Sequence, residues 1–289
     1  MSERSAPTVC AVVVTYNRRK LLSDCLDRVQ NQSHSLDQVL VVDNASTDGT
    51  ADMLARRAAK VLRLEENLGA AGGFERGIEW AVDRGYDWVW LMDDDTFAEP
   101  DCLQRLLEAL DRAPQSPSLL CSVVRWRDGT LHPMNRPWFR FDRRPEFAEA
   151  AAVGLGLVRA ASWVSTLISR RAILEHGLPP AHFFVWLEDV DYTGRILREG
   201  TGYVVPESVA WHWTPRPSDT ITDSRDRFYF YVRNHLWLFR GQSFRGLERL
   251  RFIRTYLRGL FGVLRRSDSK LRALITVGRG VRDGLRRPR

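Results

Sequence analysis

Unbroken apolar runs alternate with amphipathic stretches over the first 112 residues. Val9 to Thr15 (VCAVVVT) is continuously apolar, as expected of a strand covered on both faces. Arg18 to Gln32 sets Leu21, Leu22, Cys25, Leu26 and Val29 on one helical face, and Gln38 to Asp43 (QVLVVD) repeats the buried-strand pattern. Ser46-Thr47-Asp48-Gly49-Thr50 is turn and cap chemistry ahead of a helix over Ala51 to Ala59. A short strand at Val61 to Leu64, a helix at Gly72 to Arg84, a strand at Trp88 to Met92 and a helix from Asp101 to Arg112 complete the series. Such alternation predicts an α/β fold with a mostly parallel, Rossmann-like sheet, flanked by helices and joined by right-handed crossovers.

The remainder is less regular. Leu119 to Trp126 and Gly156 to Ile168 read as strands, separated by a loop rich in Pro and Arg. Arg170 to His176 and Asp189 to Glu199 read as helices, and Tyr203 to Val205 as a short strand. Arg227 to Leu238 (RFYFYVRNHLWL) is strongly aromatic. Phe244 to Arg266 then spaces Leu247, Leu250, Ile253, Leu257, Leu260 and Leu264 helically, with arginines on the other faces. A basic amphipathic helix of this kind lies in a membrane interface or packs on the body with its arginines solvated.

Charge sharpens that division. From Arg240 onward, fourteen Arg and one Lys face Glu248, Asp268 and Asp283, so the tail carries +12 of a total of +7 and the rest carries −5. The tail therefore calls for an anionic partner, a membrane surface or a nucleic acid. The four cysteines form no CxxC pair, which argues against a zinc ribbon or disulfide framework and fits a reducing cytosol. No signal peptide is expected from MSERSAPTVC, and no apolar stretch reaches the roughly 20 residues that span a bilayer.

The sharpest chemical feature is Asp93-Asp94-Asp95 directly after the strand Trp88 to Met92. Adjacent carboxylates repel one another unless a cation or several donors share the site. Their place at a strand's carboxyl end is where ligands bind in open α/β sheets, which favours a metal-diphosphate site. Asp43, at the tip of the second strand, is placed to accept from a base N–H or a ribose hydroxyl. The segment Asn67-Leu68-Gly69-Ala70-Ala71-Gly72-Gly73-Phe74-Glu75-Arg76 has three glycines that let the backbone approach a ligand, and Arg76 as a phosphate partner.

Together TYN, VVDNASTDGT, NLGAAGGFERG and WVWLMDDD resemble the inverting family-2 glycosyltransferases of the GT-A fold, over residues 8 to 112 and again from Phe183 to His212. The wording is most similar to the bacterial branch that transfers galactofuranose or rhamnose. The resemblance implies a GT-A catalytic domain over residues 1–238, with a nucleotide-sugar half to about 112 and an acceptor half beyond, plus a basic helical tail over 239–289. It implies that Thr15, Asn17 and Asp43 hold the base and ribose of a UDP- or dTDP-sugar, with Asn67, Gly69, Arg76, Asp93 and Asp94 along the donor. It assigns Mg²⁺ or Mn²⁺ to Asp95, together with Asp93 and His212. In the block FFVWLEDVDY it makes Asp189 the base, with Glu188 binding acceptor hydroxyls or sharing that role, and Asp191 anchoring the helix or pairing with Arg195. Trp186, Trp211 and Trp213 stack on acceptor sugars or pack in the core. The implied acceptor is a polyprenyl-diphosphate-linked glycan, reached by a cytoplasmic enzyme held peripherally on the inner membrane face through its tail.

Two rivals fit less well. A sugar-phosphate nucleotidyltransferase would carry a Gly-rich, Lys-bearing loop after its first strand, where this chain has TYNRRK. A nucleic-acid binder acting through the tail would leave the carboxylates at 43, 93–95 and 189 unexplained, since they repel phosphates, so no nucleic-acid partner is expected.

Overall fold

The computed structural model describes residues 6–215, 227–267 and 269–286. Strands β1 (Val9–Thr15), β2 (Gln38–Asp43), β3 (Lys60–Arg63) and β4 (Trp88–Asp93) alternate with helices α1 (Arg19–Gln30), α2 (Thr50–Leu54) and α3 (Gly69–Asp83). The strands pair in parallel in the order β3-β2-β1-β4, with Thr15 opposite Asp43 and Val14 opposite Asp93. Parallel strands end together, so three polar strand tips reach one edge.

The chain continues through β5 (Thr96–Ala98), α4 (Cys102–Arg112), β6 (Leu119–Arg125), β7 (Trp138–Phe139), α5 (Arg144–Ala152), β8 (Gly156–Ala160), β9 (Thr166–Ser169), α6 (Arg170–His176), α7 (Glu188–Ile196) and β10 (Gly202–His212). Beyond β4 the sheet runs β9-β6-β10-β8-β7. Because β9 is antiparallel to both β4 and β6, strands β6 and β10 run in the direction of β1 to β4. The sheet is therefore mixed but mostly parallel. One face packs α1 and α4 through Leu22, Leu26, Leu103 and Leu106; the other packs α3, α6 and α7 through Phe74, Ile78, Ile173 and Ile196. Cover on both faces is why the strands read as unbroken apolar runs.

Some expectations are corrected. The run from Gly156 to Ile168 is two strands in different places in the sheet, β8 beside β10 and β9 between β4 and β6. The helix after the second strand ends at Leu54 rather than Ala59. The three-residue strand at Tyr203 is only the start of β10, which passes an irregularity between Val205 and Val209 and pairs antiparallel with β5, His212 opposite Thr96. Helix α3 begins at Gly69, and packing alone already requires Gly72 and Gly73. A Cβ at Gly72 would sit 2.5 Å from Leu68 Cβ, and one at Gly73 2.5 Å from Val14 Cγ1. They let the helix close on its own start and on the sheet.

Helices α8 (Phe228–Arg240), α9 (Leu247–Arg266) and α10 (Lys270–Gly284) follow. Phe252, Tyr256 and Gly259 of α9 are buried toward α8, where the Tyr231 hydroxyl donates to the Thr255 carbonyl at 2.9 Å. Gly280 and Gly284 bring α10 against Val232 and Leu236 of α8. The tail thus packs on the body by one face, while Leu250, Ile253, Leu257 and Phe261 form a separate exposed stripe. Among the described residues no helix is long and apolar enough to cross a membrane. The last arginines of the basic segment, Arg287 and Arg289, lie outside the described residues.

Candidate active site

The tips of β1 and β4 meet. The Thr15 hydroxyl donates to Asp94 Oδ2 at 2.7 Å. Arg18, just past β1, donates through Nη1 to Asp94 Oδ1 at 3.2 Å and Asp95 Oδ2 at 2.6 Å. His212 Nε2 lies 3.1 Å from Asp95 Oδ1, and its Nδ1 lies 2.8 Å from Asn135 Oδ1. The Asn135 amide nitrogen donates to Ser162 at 2.9 Å and leaves its oxygen facing the ring. Its oxygen can only accept, so His212 Nδ1 carries a proton and Nε2 faces the carboxylates.

Ligand atoms of Asp93, Asp95 and His212 all lie within 4.8 Å of one another. Two carboxylates and an oriented imidazole are a donor set that fits a divalent cation such as Mg²⁺ or Mn²⁺. Burial pushes Asp93 up, with the charge of Asp95 adding to it, and pushes Asp94 up to about 6. Burial acts on Asp95 in the same sense, but His212 and Arg18 outweigh it and hold that carboxyl below the usual range. Burial would lower His212, and Asp95 and Asp93 raise it instead. Its neighbour His132, with ring centroids 4.8 Å apart, is pushed down to about 4 by burial and by His212.

On the nucleotide side, Asp43 is fully buried. Its Oδ1 accepts from Ser46 N at 2.9 Å, while Oδ2 has no hydrogen-bond partner and only Arg63 Nε at 4.0 Å. Asn17, at φ 52°, accepts from Thr47 N at 2.7 Å and so ties the first two strand tips together. Asn44 Nδ2 donates to Gly69 O at 3.0 Å, and Asn67 Oδ1 accepts from Gly69 N at 2.9 Å. The start of α3 is thereby pinned to the tip of β2.

Glu188 and Asp189 open α7. Glu188 is buried, and its Oε2 has no hydrogen-bond partner. Burial raises its pKa well above the ordinary value, and the charges of Asp189 and then Asp93 add to the rise. Burial also pushes Asp189 up, to about 6, although its Oδ1 accepts from Val190 N at 2.7 Å. Asp191 takes the anchoring role: it accepts from Ser243 at 2.8 Å, while Arg195 donates to the Leu178 carbonyl at 2.6 Å.

Other expected residues stand apart. Trp211 alternates with His212 along β10, so its indole emerges on the opposite face, donates to Glu99 and packs against the core of α1 and α4. It is not brought to His212, a correction to its acceptor-binding assignment. Trp213 packs edge-on against Phe97, and Trp186 edge-on against Tyr231. Arg76 pairs with Glu79 at 2.9 Å on the outer side of α3. Sequence reasoning missed Arg18, Asn44 and Asn135. Arg18 directly follows the TYN motif and was there to be found, whereas Asn135 sits in an irregular loop with no periodicity.

The profile of glycosyl transferase family 2 matches residues 10–177. A galactofuranosyltransferase of Mycolicibacterium smegmatis is 31% identical over 201 residues, 66% of this chain and 66% of its own length, so the chain spans about two thirds of that relative. An N-acetylglucosaminyl-diphospho-decaprenol L-rhamnosyltransferase of Mycobacterium tuberculosis is 27% identical over 236 residues, 70% of this chain and 74% of the relative. The fold is similar to that of residues 1–349 of S. aureus TarS in complex with UDP-GlcNAc, with a TM-score of 0.66 at 16% identity, covering 96% of this chain and 80% of that one. The profile takes in more than half of the chain, and with that match the chain belongs to glycosyl transferase family 2, built on the GT-A fold.

Proposed function

We propose that the protein is an inverting, metal-dependent glycosyltransferase. It moves a hexose, galactofuranose or rhamnose before others, from a UDP- or dTDP-sugar to a lipid-linked glycan of the cell envelope. The observation that carries this reading is the convergence of Asp93, Asp95 and His212 within 4.8 Å, with buried Glu188, on which the charge of Asp93 acts, and half-buried Asp189 opening α7. The names of the two relatives, one acting in galactofuranosyl and one in rhamnosyl transfer, support the choice of sugars.

Thr15, Asn17 and Asp43 hold the base and ribose, with the unpartnered Oδ2 of Asp43 ready to accept from the nucleotide. Asp94, Asn67 and Gly69 line the donor's path. Bound Mg²⁺ or Mn²⁺, held by Asp93, Asp95 and His212, would neutralise charge developing on the leaving diphosphate. Asp189 removes the acceptor hydroxyl proton, and a pKa near 6 suits a base working near neutrality. Glu188 contacts the acceptor.

An acceptor of this kind sits in a membrane, and the tail supplies the contact from the cytoplasmic face. The stripe Leu250, Ile253, Leu257 and Phe261 is bordered by Arg251, Arg254, Arg258 and Arg265, none of which is ion-paired among the described residues. Apolar insertion beside anionic headgroups is the behaviour expected of such a surface. Because α9 also packs on α8, the surface is tested by substitution rather than deletion. Leu257→Asp with Phe261→Asp abolishes sedimentation with phosphatidylglycerol vesicles while UDP binding persists; unchanged sedimentation removes the membrane contact.

The reaction is tested by thermal shift with a panel of sugar nucleotides, with and without Mn²⁺, followed by transfer assays on the donor that binds. One UDP- or dTDP-sugar raises Tm in a Mn²⁺-dependent manner. A panel in which no donor shifts Tm under either condition overturns the reading.

A further inference from the structure

The segment that delivers Glu188 and Asp189 has an uncommon backbone. Phe184, Trp186 and Leu187 hold φ of 65°, 72° and 71°, a left-handed geometry that bulky L-residues rarely adopt. Such a conformation persists only where its surroundings enforce it. One anchor comes from α3: Ala71 N donates to the Phe184 carbonyl at 3.1 Å, and a Cβ at Gly69 would lie 2.1 Å from that same oxygen. The other comes from α8. Asn234 is fully buried and turns Nδ2 toward three carbonyl oxygens, those of Phe183 (3.0 Å), Val185 (2.8 Å) and Trp186 (2.8 Å). Arg233 secures this orientation, because its Nε donates to Asn234 Oδ1 at 3.0 Å and its Nη2 donates to the Phe183 carbonyl at 2.8 Å.

We propose that Asn234 is a positioning residue for the reaction: its amide clamps the loop 183–187 and so sets the direction in which Glu188 and Asp189 enter the site. The role of those two carboxylates rests on the glycosyltransferase reading; the clamp itself does not. The chemistry is specific to an amide. Three carbonyls converging on one point demand N–H donors, and an aspartate of the same shape would set acceptors against acceptors. An amide that merely filled core space would not need its donor end selected by a neighbouring guanidinium.

The test uses the full chain carrying Asn234→Asp or Asn234→Ala. Three readouts are compared with wild type: hydrogen exchange across residues 183–190, affinity for UDP with Mn²⁺, and transfer from the donor found in the panel. Exchange at 183–190 rises by about tenfold or more with the rest of the chain unchanged, the sign of a local opening. UDP affinity stays within about twofold, and kcat falls roughly 10- to 100-fold at constant donor KM, as expected of misplaced catalytic groups. Unchanged exchange at 183–190 overturns the proposal. So does exchange that rises throughout α7 and α8 together with weakened UDP binding, the mark of a merely structural role. If both Asn234 variants fail to fold, Arg233→Ala decides: it keeps the amide but releases its orientation, and a wild-type loop there overturns the clamp. Absence of transfer by the wild-type protein would sink the proposed function and leave the exchange result to judge Asn234 alone.

Discussion

Asp93–Asp95 and Glu188–Asp189 are both groups of neighbouring carboxylates, each buried or half-buried, yet only the first is supplied with positive charge. Arg18 and His212 touch Asp95, and Arg18 also touches Asp94. Among the described residues no Arg, Lys or His pairs with Glu188 or Asp189. At the first corner, opposite charge keeps Asp95 ionised in spite of burial. Burial still raises Asp93 and Asp94 there, and at the second corner, where no positive charge offsets burial, both carboxyls rise. On the proposed function, Asp95 keeps the standing negative charge that holding a cation requires, whereas Asp189 has the pKa close to the working pH that accepting a proton requires.

The largest effect that could break this contrast is at Asp189. Asp189→Asn should leave affinity for UDP with Mn²⁺ intact and lower transfer by roughly 10²- to 10⁴-fold, the range of a lost general base. The sign of the pH dependence follows from the raised pKa. Asp189 accepts a proton only when ionised, so the wild-type rate climbs as pH rises through about 6 and flattens above it. The residual rate of the variant should lack that limb. If Asp189→Asn keeps both the rate and the limb, and Glu188→Gln loses them, the base is Glu188.

What could be read in advance was whatever is written locally in the chain. Strands covered on both faces give continuous apolar runs, so β1, β2 and β4 were visible, and their polar tips Thr15, Asp43 and Asp93 came with them. His212 was identified, but its strand was not, because Pro206-Glu207-Ser208 interrupts the apolar pattern of β10. With the strand unread, its alternation went unread too, and so did the choice for Trp211 between stacking on an acceptor and packing in the core. Gly72 and Gly73 have the composition of a ligand-cradling turn, but close packing of a helix on a sheet requires the same residue. Asn135 and Asn234 act across 77 and about fifty residues, respectively, on one ring nitrogen and three carbonyls. No periodicity records contacts of that range.

Asn135 gives a smaller and more selective test of the metal corner. Its oxygen is what turns His212 Nε2 toward Asp93 and Asp95. Asn135→Ala should weaken Mn²⁺ binding by about tenfold or somewhat more, the usual cost of losing an outer partner of a ligating histidine. Asn135→Asp, which keeps an acceptor in place, should retain most of the affinity. Neither variant should alter the pH limb that Asp189→Asn removes. Unchanged Mn²⁺ titrations in Asn135→Ala would remove His212 from the ligand set.

The smallest effect separates the corners by stability alone and needs no substrate. Glu188 has a folded-state pKa above its unfolded value of about 4.3. Between those values the folded protein holds a proton that the unfolded chain has released, so stability falls as pH rises from about 4.3 and the deficit is complete above the folded pKa. Glu188→Gln cannot ionise, so it escapes the deficit. It should be more stable than wild type at pH 8 by on the order of 1–3 kcal/mol, the cost of an unsatisfied buried polar group, or a few degrees in Tm for a chain of this size. The gain should shrink toward zero at pH 4. Asp95 is depressed rather than raised, so its contribution is present above about pH 3.9 and lost as pH falls through the folded value. Asp95→Asn should therefore lower Tm at pH 8, opposite in sign to Glu188→Gln. If both variants are less stable than wild type at pH 8, a positive group or a donor must reach Glu188 in solution, and the two corners are not the electrostatic opposites described here.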